Sequence, residues 1–219
     1  MPLRGALFDW DGVVVNSSAA HERSWELIAH ELGLPLPEGH FKKGFGMKNE
    51  RVIPDVLGWT QDAVTIAKWS LRKEEIYREV IERDGLVPLP GLEKFLQALQ
   101  LAGIPCCIGS STHRANIDQG LSKIGLASYF PSVVTAEDVS HGKPDPEIFL
   151  KAAARTGARP DECVVFEDAH VGVEAGVRGG MKVVALTTTH PRETLEDAHL
   201  IVSGWETLTL DQVQSLFDK

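Results

Sequence analysis

The chain has 219 residues, 43% hydrophobic and 24% charged, with a net charge of −9. That is an ordinary globular composition with enough apolar material for a sizeable core, and no apolar run approaches the ~18 residues that a membrane span requires. The acidic balance argues against nucleic acid as a main partner, since phosphate backbones need a basic face, but leaves room for a small anionic substrate.

The N-terminus, Met1-Pro2-Leu3-Arg4, lacks the apolar stretch of a signal peptide and runs directly into the apolar segment Leu3–Phe8, so the cytoplasm is the expected compartment. That segment ends in Asp9-Trp10-Asp11-Gly12 and reads as a buried strand stopping at a loop. Two carboxylates two positions apart are either an acidic turn or, at the end of a strand in an open α/β sheet, part of a ligand site.

From about Ser17 to Val87 the pattern is helical. Trp25, Ile28, Ala29 and Leu32 line one face of a helix spanning 21–34, and helices are predicted over 49–57 and 62–81. Thr60 is the expected N-cap of the last, and Arg72, Lys73, Glu74, Glu75, Arg78, Glu79, Glu82 and Arg83 its solvated charged face.

After Pro88-Leu89-Pro90-Gly91 helices and strands alternate. Helices are expected at 92–102, 114–124, 146–156, 171–178 and 206–217, with strands at 104–109, 133–134, 163–166, 182–186 and near 200–202. Asp145 is the expected N-cap of the third of these helices, with Pro146 in its first turn. Alternation of this kind implies an α/β fold: a Rossmann-like, doubly wound parallel sheet with helices on both faces. Residues 1–16 and 88–219 then form the core domain, and 17–87 an inserted all-helical cap, placed to act as a lid. The three cysteines, Cys106, Cys107 and Cys163, match no zinc spacing and are expected to be reduced and buried.

Three further features fall at predicted strand ends. Gly109-Ser110-Ser111-Thr112 precedes a helix, where small hydroxyl residues either cap it or form an anion site. Gly142-Lys143-Pro144-Asp145 is a constrained loop carrying one lysine. Glu167-Asp168 ends an apolar strand and would bring four acids into one cleft with Asp9 and Asp11. Like charges so placed repel unless a cation neutralises them, and hard oxygen ligands favour Mg²⁺.

In order and spacing, Phe8-Asp9-Trp10-Asp11-Gly12-Val13, Gly109–Thr112, Gly142-Lys143-Pro144-Asp145-Pro146 and Phe166-Glu167-Asp168 resemble the four motifs of the haloacid dehalogenase-like hydrolase superfamily. The nearest branch is that of β-phosphoglucomutase and small sugar-phosphate phosphatases. The resemblance implies that Asp9 attacks phosphorus and forms an aspartyl-phosphate, and that Asp11 transfers the proton. It implies that Ser110, Ser111 and Lys143 hold the phosphoryl oxygens. Mg²⁺ falls to Asp9, the Asp11 main-chain carbonyl and Asp168, with Glu167 acting directly or through water. The founding dehalogenases lack the second aspartate, so Asp11 favours phosphate chemistry.

On the cap, the resemblance assigns substrate contacts to His21 and to the loop Lys43-Gly44-Phe45-Gly46-Met47-Lys48-Asn49, chiefly Gly46, Lys48 and Asn49. Thr112-His113-Arg114 departs from the Lys-Asn expected of a mutase, although Arg114 retains the capacity to contact a phosphate. His30, His40, His170, His190 and His199 are read as surface or structural. The expected function is a Mg²⁺-dependent phosphatase of a small phosphorylated sugar or polyol. The alternatives are a β-phosphoglucomutase-type isomerase and a non-catalytic phospho-receiver. A monomer suits a cap that must swing.

Overall fold

Six short apolar runs pair into one parallel sheet among the described residues, 2–44 and 47–218, of the computed structural model. Gly46, expected to face substrate, lies outside those residues. The strands are β1 (Gly5–Phe8), β2 (Cys106–Gly109), β3 (Ser132–Val134), β4 (Cys163–Glu167), β5 (Lys182–Leu186) and β6 (Leu200–Val202), in the order β3-β2-β1-β4-β5-β6. The order reverses between β1 and β4, so the crevice beyond their carboxyl ends is the natural ligand position.

The helices are α1 (Ser18–Leu32), α2 (His40–Gly44), α3 (Asn49–Arg51), α4 (Ala63–Asp84), α5 (Leu92–Leu101), α6 (Arg114–Ile124), α7 (Glu147–Thr156), α8 (His170–Arg178) and α9 (Leu210–Ser215). Because side chains alternate along a strand, Phe8, Ile108, Phe166 and Val184 pack on one side with Leu96 of α5 and Ile117 of α6. Leu7, Cys107, Val165 and Val183 pack on the other with Phe149 of α7 and Val173 of α8. Both faces are covered, which explains why these strands read as continuous apolar runs. All three cysteines are free and buried.

The helical block from α1 to α4 has its own small core of Trp25, Ile28, Val52, Ile53, Leu57, Ile76 and Val80. The chain leaves and re-enters the sheet side by side: Leu89 N–H donates to Val14 (3.0 Å) and Asn16 N–H to Val87 (3.3 Å). We propose residues 14–16 and 87–89 as the boundary between the core and the cap.

Several boundaries differ from expectation for local reasons. The helix expected over 49–57 is α3 followed by a wider π-helical turn, Val52–Val56. Pro54 has no N–H to give, and the Leu57 N–H passes over it to Val52 at 2.9 Å. The N-cap of α4 is Asp62, which accepts from Thr65 N–H at 2.8 Å; Thr60 instead accepts from Asp62 N–H. Pro146 occupies the cap position of α7, with Asp145 accepting the Glu147 N–H at 2.9 Å. The last helix is interrupted, because Thr209 starts a new capping box with Gln212 after a short turn at Trp205–Thr207.

Candidate active site

The site is assembled where four strand ends and loops converge. Asp9 and Asp11 follow β1, and the turn between them and α1 is tight: Gly12 sits at φ +76°, and a Cβ there would run into the Asp168 carboxylate. Only glycine meets both demands at that position. Ser110, Ser111 and Thr112 follow β2, Glu167 ends β4, and Asp168 comes directly after it. Lys143 lies in the loop before α7, in a cis Lys143–Pro144 segment.

Asp9, Glu167 and Asp168 are buried and can bring carboxylate oxygens within 4.8 Å of one another. Lys143 Nζ bridges two of them, donating to Asp9 Oδ1 at 2.6 Å and to Glu167 Oε1 at 2.5 Å. The other Glu167 oxygen accepts the N–H groups of Asp168 (2.8 Å) and Ala169 (2.9 Å), which pins it at the entry to α8. One ammonium among three acids leaves an excess of negative charge. Burial pushes Asp9 up to about 7, with the Glu167 and Asp11 charges adding to it and Lys143 opposing. Burial and the charge of Glu167 likewise hold Asp168 well above the usual carboxylate range. A buried all-oxygen donor set short of positive charge fits a small hard divalent cation such as Mg²⁺.

Asp11 occupies a different environment two residues away. Its Oδ1 accepts from Ser17 Oγ (2.5 Å) and faces His21 Nε2 (3.0 Å), and its Oδ2 accepts from Thr112 Oγ1 (3.0 Å). Burial opposes its ionisation, but His21 and the hydrogen bonds from Ser17 and Thr112 outweigh it, and its pKa is lowered. Lys73 Nζ lies 2.8 Å from His21 Nδ1. An ammonium only donates, so Nδ1 accepts and Nε2 carries the proton directed at Asp11. The His21 ring stacks on Tyr77, with centroids 4.1 Å apart.

Lys73 and Glu74 correct the expectation of a wholly solvated α4 face: they are 2% and 4% exposed. Glu74 accepts from Lys73 (3.0 Å), from Asn49 Nδ2 (2.6 Å) and from Asn116 Nδ2 of the core helix α6, and Asn116 in turn accepts from Arg78. Burial alone would raise Glu74, but Lys73, His21 and the Asn49 hydrogen bond bring it down to about 2. The sequence does carry a signal for Lys73. It lies four residues after Trp69 and four before Tyr77, on the apolar stripe of α4 rather than off it.

A cleft of 840 Å³, open to solvent, runs between the cap and the sheet edge, and Asp9, Asp11, Ser110, Ser111, Lys143, Glu167, Asp168, His21 and Asn49 all line it. Two expected cap contacts lie elsewhere. Lys48 Nζ donates to the Ala136 carbonyl (3.3 Å), beside Gly142 and outside this cleft. Arg114 points its guanidinium to the Val133 carbonyl (2.7 Å) and Asp138 (3.4 Å), its own backbone N–H capped by Glu137. Thr112, expected in the anion loop, instead donates to Asp11, and residues not anticipated at or behind the site are Ser17, Lys73, Glu74, Asn116 and His40. The last of these lines the cleft rather than a plain surface. His190 is structural, held at the Asp168 carbonyl.

Fold and site together define a doubly wound α/β hydrolase with a helical insert after its first strand. The chain belongs to the haloacid dehalogenase-like hydrolase family, which matches residues 3–180. It is 35% identical to hexitol phosphatase A of Escherichia coli, over 96% of this chain and 95% of that one. It is 34% identical to the chloroplastic 5-amino-6-(5-phospho-D-ribitylamino)uracil phosphatase of Arabidopsis thaliana, over 98% of this chain but only 58% of that longer protein. Among solved structures, β-phosphoglucomutase from Clostridium difficile shares the fold, with a TM-score of 0.87 at 23% identity, covering 98% of this chain and 97% of that one. No described helix is long and apolar enough to cross a membrane.

Proposed function

We propose that this chain is a Mg²⁺-dependent phosphatase of small phosphorylated sugars or polyols, working through an aspartyl-phosphate on Asp9. It is a phosphoric monoester hydrolase, as are relatives named for hexitol and fructose-1-phosphate substrates. The observation that carries the finer reading is the contrast between the two aspartates: Asp9 sits with Lys143 in the acidic cluster, Asp11 apart with three hydrogen-bonding partners. Environments that push neighbouring carboxylates apart mark a division of roles.

In the first half-reaction an Asp9 oxygen attacks phosphorus and the phosphorus–ester oxygen bond breaks. The departing alkoxide takes a proton from the Asp11 carboxyl, which is left as a carboxylate stabilised by the His21 Nε2–H. In the second, Asp11 removes a proton from water as its oxygen attacks phosphorus, which releases phosphate and restores Asp9. Ser110 and Lys143 hold the non-bridging oxygens, where negative charge is greatest. Asp9 and Asp168, with Glu167 beside them, would hold the metal ion. When bound, that ion neutralises the phosphoryl oxygens and lowers the charge barrier to a carboxylate attack. Hydrolysis is favoured over return of the phosphoryl group to a second sugar position, because Arg114 is committed to Val133 and Asp138.

The test is phosphate release by the purified chain from a panel of sugar and polyol phosphates, with Mg²⁺ and with EDTA. Metal-dependent release supports the reading. Isomerisation of β-glucose 1-phosphate with negligible phosphate release would replace it with the mutase.

A further inference from the structure

A fifth segment, outside the four motifs, reaches the acidic cluster. Strand β5 stops at Leu186, the Thr187 N–H still pairs with the Val202 carbonyl (3.0 Å), and the chain then leaves the sheet. Its next three side chains all turn to the loops that carry the acids. Thr188 Oγ1 donates to the Gly12 carbonyl at 2.5 Å. His190 Nδ1 lies 3.1 Å from the Asp168 carbonyl, which only accepts, so Nδ1 carries the proton and anchors the segment. Between them, Thr189 Oγ1 sits beside Asp168 Oδ2, in the space that a side chain on Gly12 would need. The Thr189 hydroxyl hydrogen-bonds to that carboxylate, against the rise in pKa that burial imposes on Asp168.

A hydroxyl has one proton to give. Thr188 spends its proton on Gly12, and its contact with Asp168 Oδ2 is long at 3.5 Å, so the two threonines divide the work. Thr188 fixes the turn that follows Asp9 and Asp11, and Thr189 fixes the direction of the Asp168 carboxylate. Asp9, Glu167 and Asp168 repel one another, and rotation of Asp168 would relieve that repulsion by scattering the oxygen donors. Hydrogen bonds from neighbouring side chains oppose such rotation, and losing them weakens metal binding. We infer that Thr188 and Thr189 are positioning residues for the metal centre, holding the Asp9–Gly12 turn and the Asp168 carboxylate in place for the cation. This inference rests on the Mg²⁺-dependent reading and deepens it.

The test is a Mg²⁺ titration of the substrate-free protein, with the apparent Kd taken from the rise in Tm. Thr188→Val and Thr189→Val keep the branched shape and remove the hydroxyl. Each is expected to raise that Kd by about tenfold, whereas Thr189→Ser, which keeps the hydroxyl, should stay within about threefold of the wild type. In phosphate release, the Mg²⁺ concentration for half-maximal rate should rise in parallel while kcat at saturating Mg²⁺ changes little. Tm measured in EDTA separates the fold from the metal. Valine variants whose Tm falls in EDTA while the Mg²⁺ Kd stays unchanged have lost packing alone, and the inference is overturned with the metal reading intact. Loss of affinity in Thr189→Ser equal to that in Thr189→Val overturns it as well, since the hydroxyl would then be irrelevant. If the wild type itself shows no Mg²⁺-dependent rise in Tm and its phosphate release is indifferent to EDTA, the metal reading falls and takes the inference with it.

Discussion

Asp9 and Asp11 are the same residue type two positions apart, yet their surroundings send them in opposite directions. Asp9 shares a buried pocket with Glu167 and Asp168, and among the described residues Lys143 alone is salt-bridged to that cluster. Asp11 is met by one ring N–H and two hydroxyls. Asp9→Asn keeps the shape and removes the nucleophile, so it should cut phosphate release by at least about 10³-fold. Appreciable residual turnover in a steady-state assay would rule out the covalent role. Gly12→Ala should also be severe, since it combines a strained positive φ with a clash against Asp168. The expected signature is loss of activity together with a lowered Tm.

At the scale of the element, α4 does more than cover the cap. One turn of it carries Lys73, which touches His21, and Glu74, which reaches both Asn49 of the cap and Asn116 of the core. Removing one partner of a buried charged set strands the others without compensation. Glu74→Ala is therefore expected to destabilise the fold by about 3 kcal/mol or more, read from the midpoint of denaturant unfolding. The pH dependence has a definite sign. Glu74 is depressed from 4.5 to about 2 in the folded protein. Its contribution is thus complete above the unfolded value and is lost as pH falls from about 4.5 toward 2. Unfolding free energies of the wild type and Glu74→Gln should converge over that window; curves that stay parallel would contradict the assignment.

For the whole molecule, the groups proposed to carry the reaction come from segments far apart in the chain: Asp9, Ser110, Lys143 and Glu167 line one cleft. They meet because each follows or flanks a strand of one parallel sheet, at the edge where the strand order reverses. The excess of acid at that edge weakens the fold, and a divalent cation bound only by the folded state should offset it. Adding Mg²⁺ is expected to raise the Tm of the wild type, with a much smaller rise in Asp168→Asn. EDTA should reverse the first effect and abolish phosphate release.

The alternation of helix and strand, the four motifs and the helical insert were all legible in the chain, because each rests on local period, turn chemistry or spacing. The strand ends at Phe8 and Gly109 needed no tertiary information, and β4 runs one residue past the expected end at Phe166. The cap contacts were harder to read. Lys73 and Glu74 sit in a run of charges that reads as solvent-facing, and Arg114 beside a phosphate motif reads as a ligand. Their true partners, His21, Asn116 and Asp138, are remote in sequence, and a side chain's direction is decided by what packs against its element. The chain by itself therefore determined which groups gather in the proposed reaction centre, because they are fixed by the ends of strands. Only the tertiary structure decided the wall that faces the cleft, since pairing across it settles which polar groups are spent, as Lys73 and Glu74 are on His21, Asn49 and Asn116.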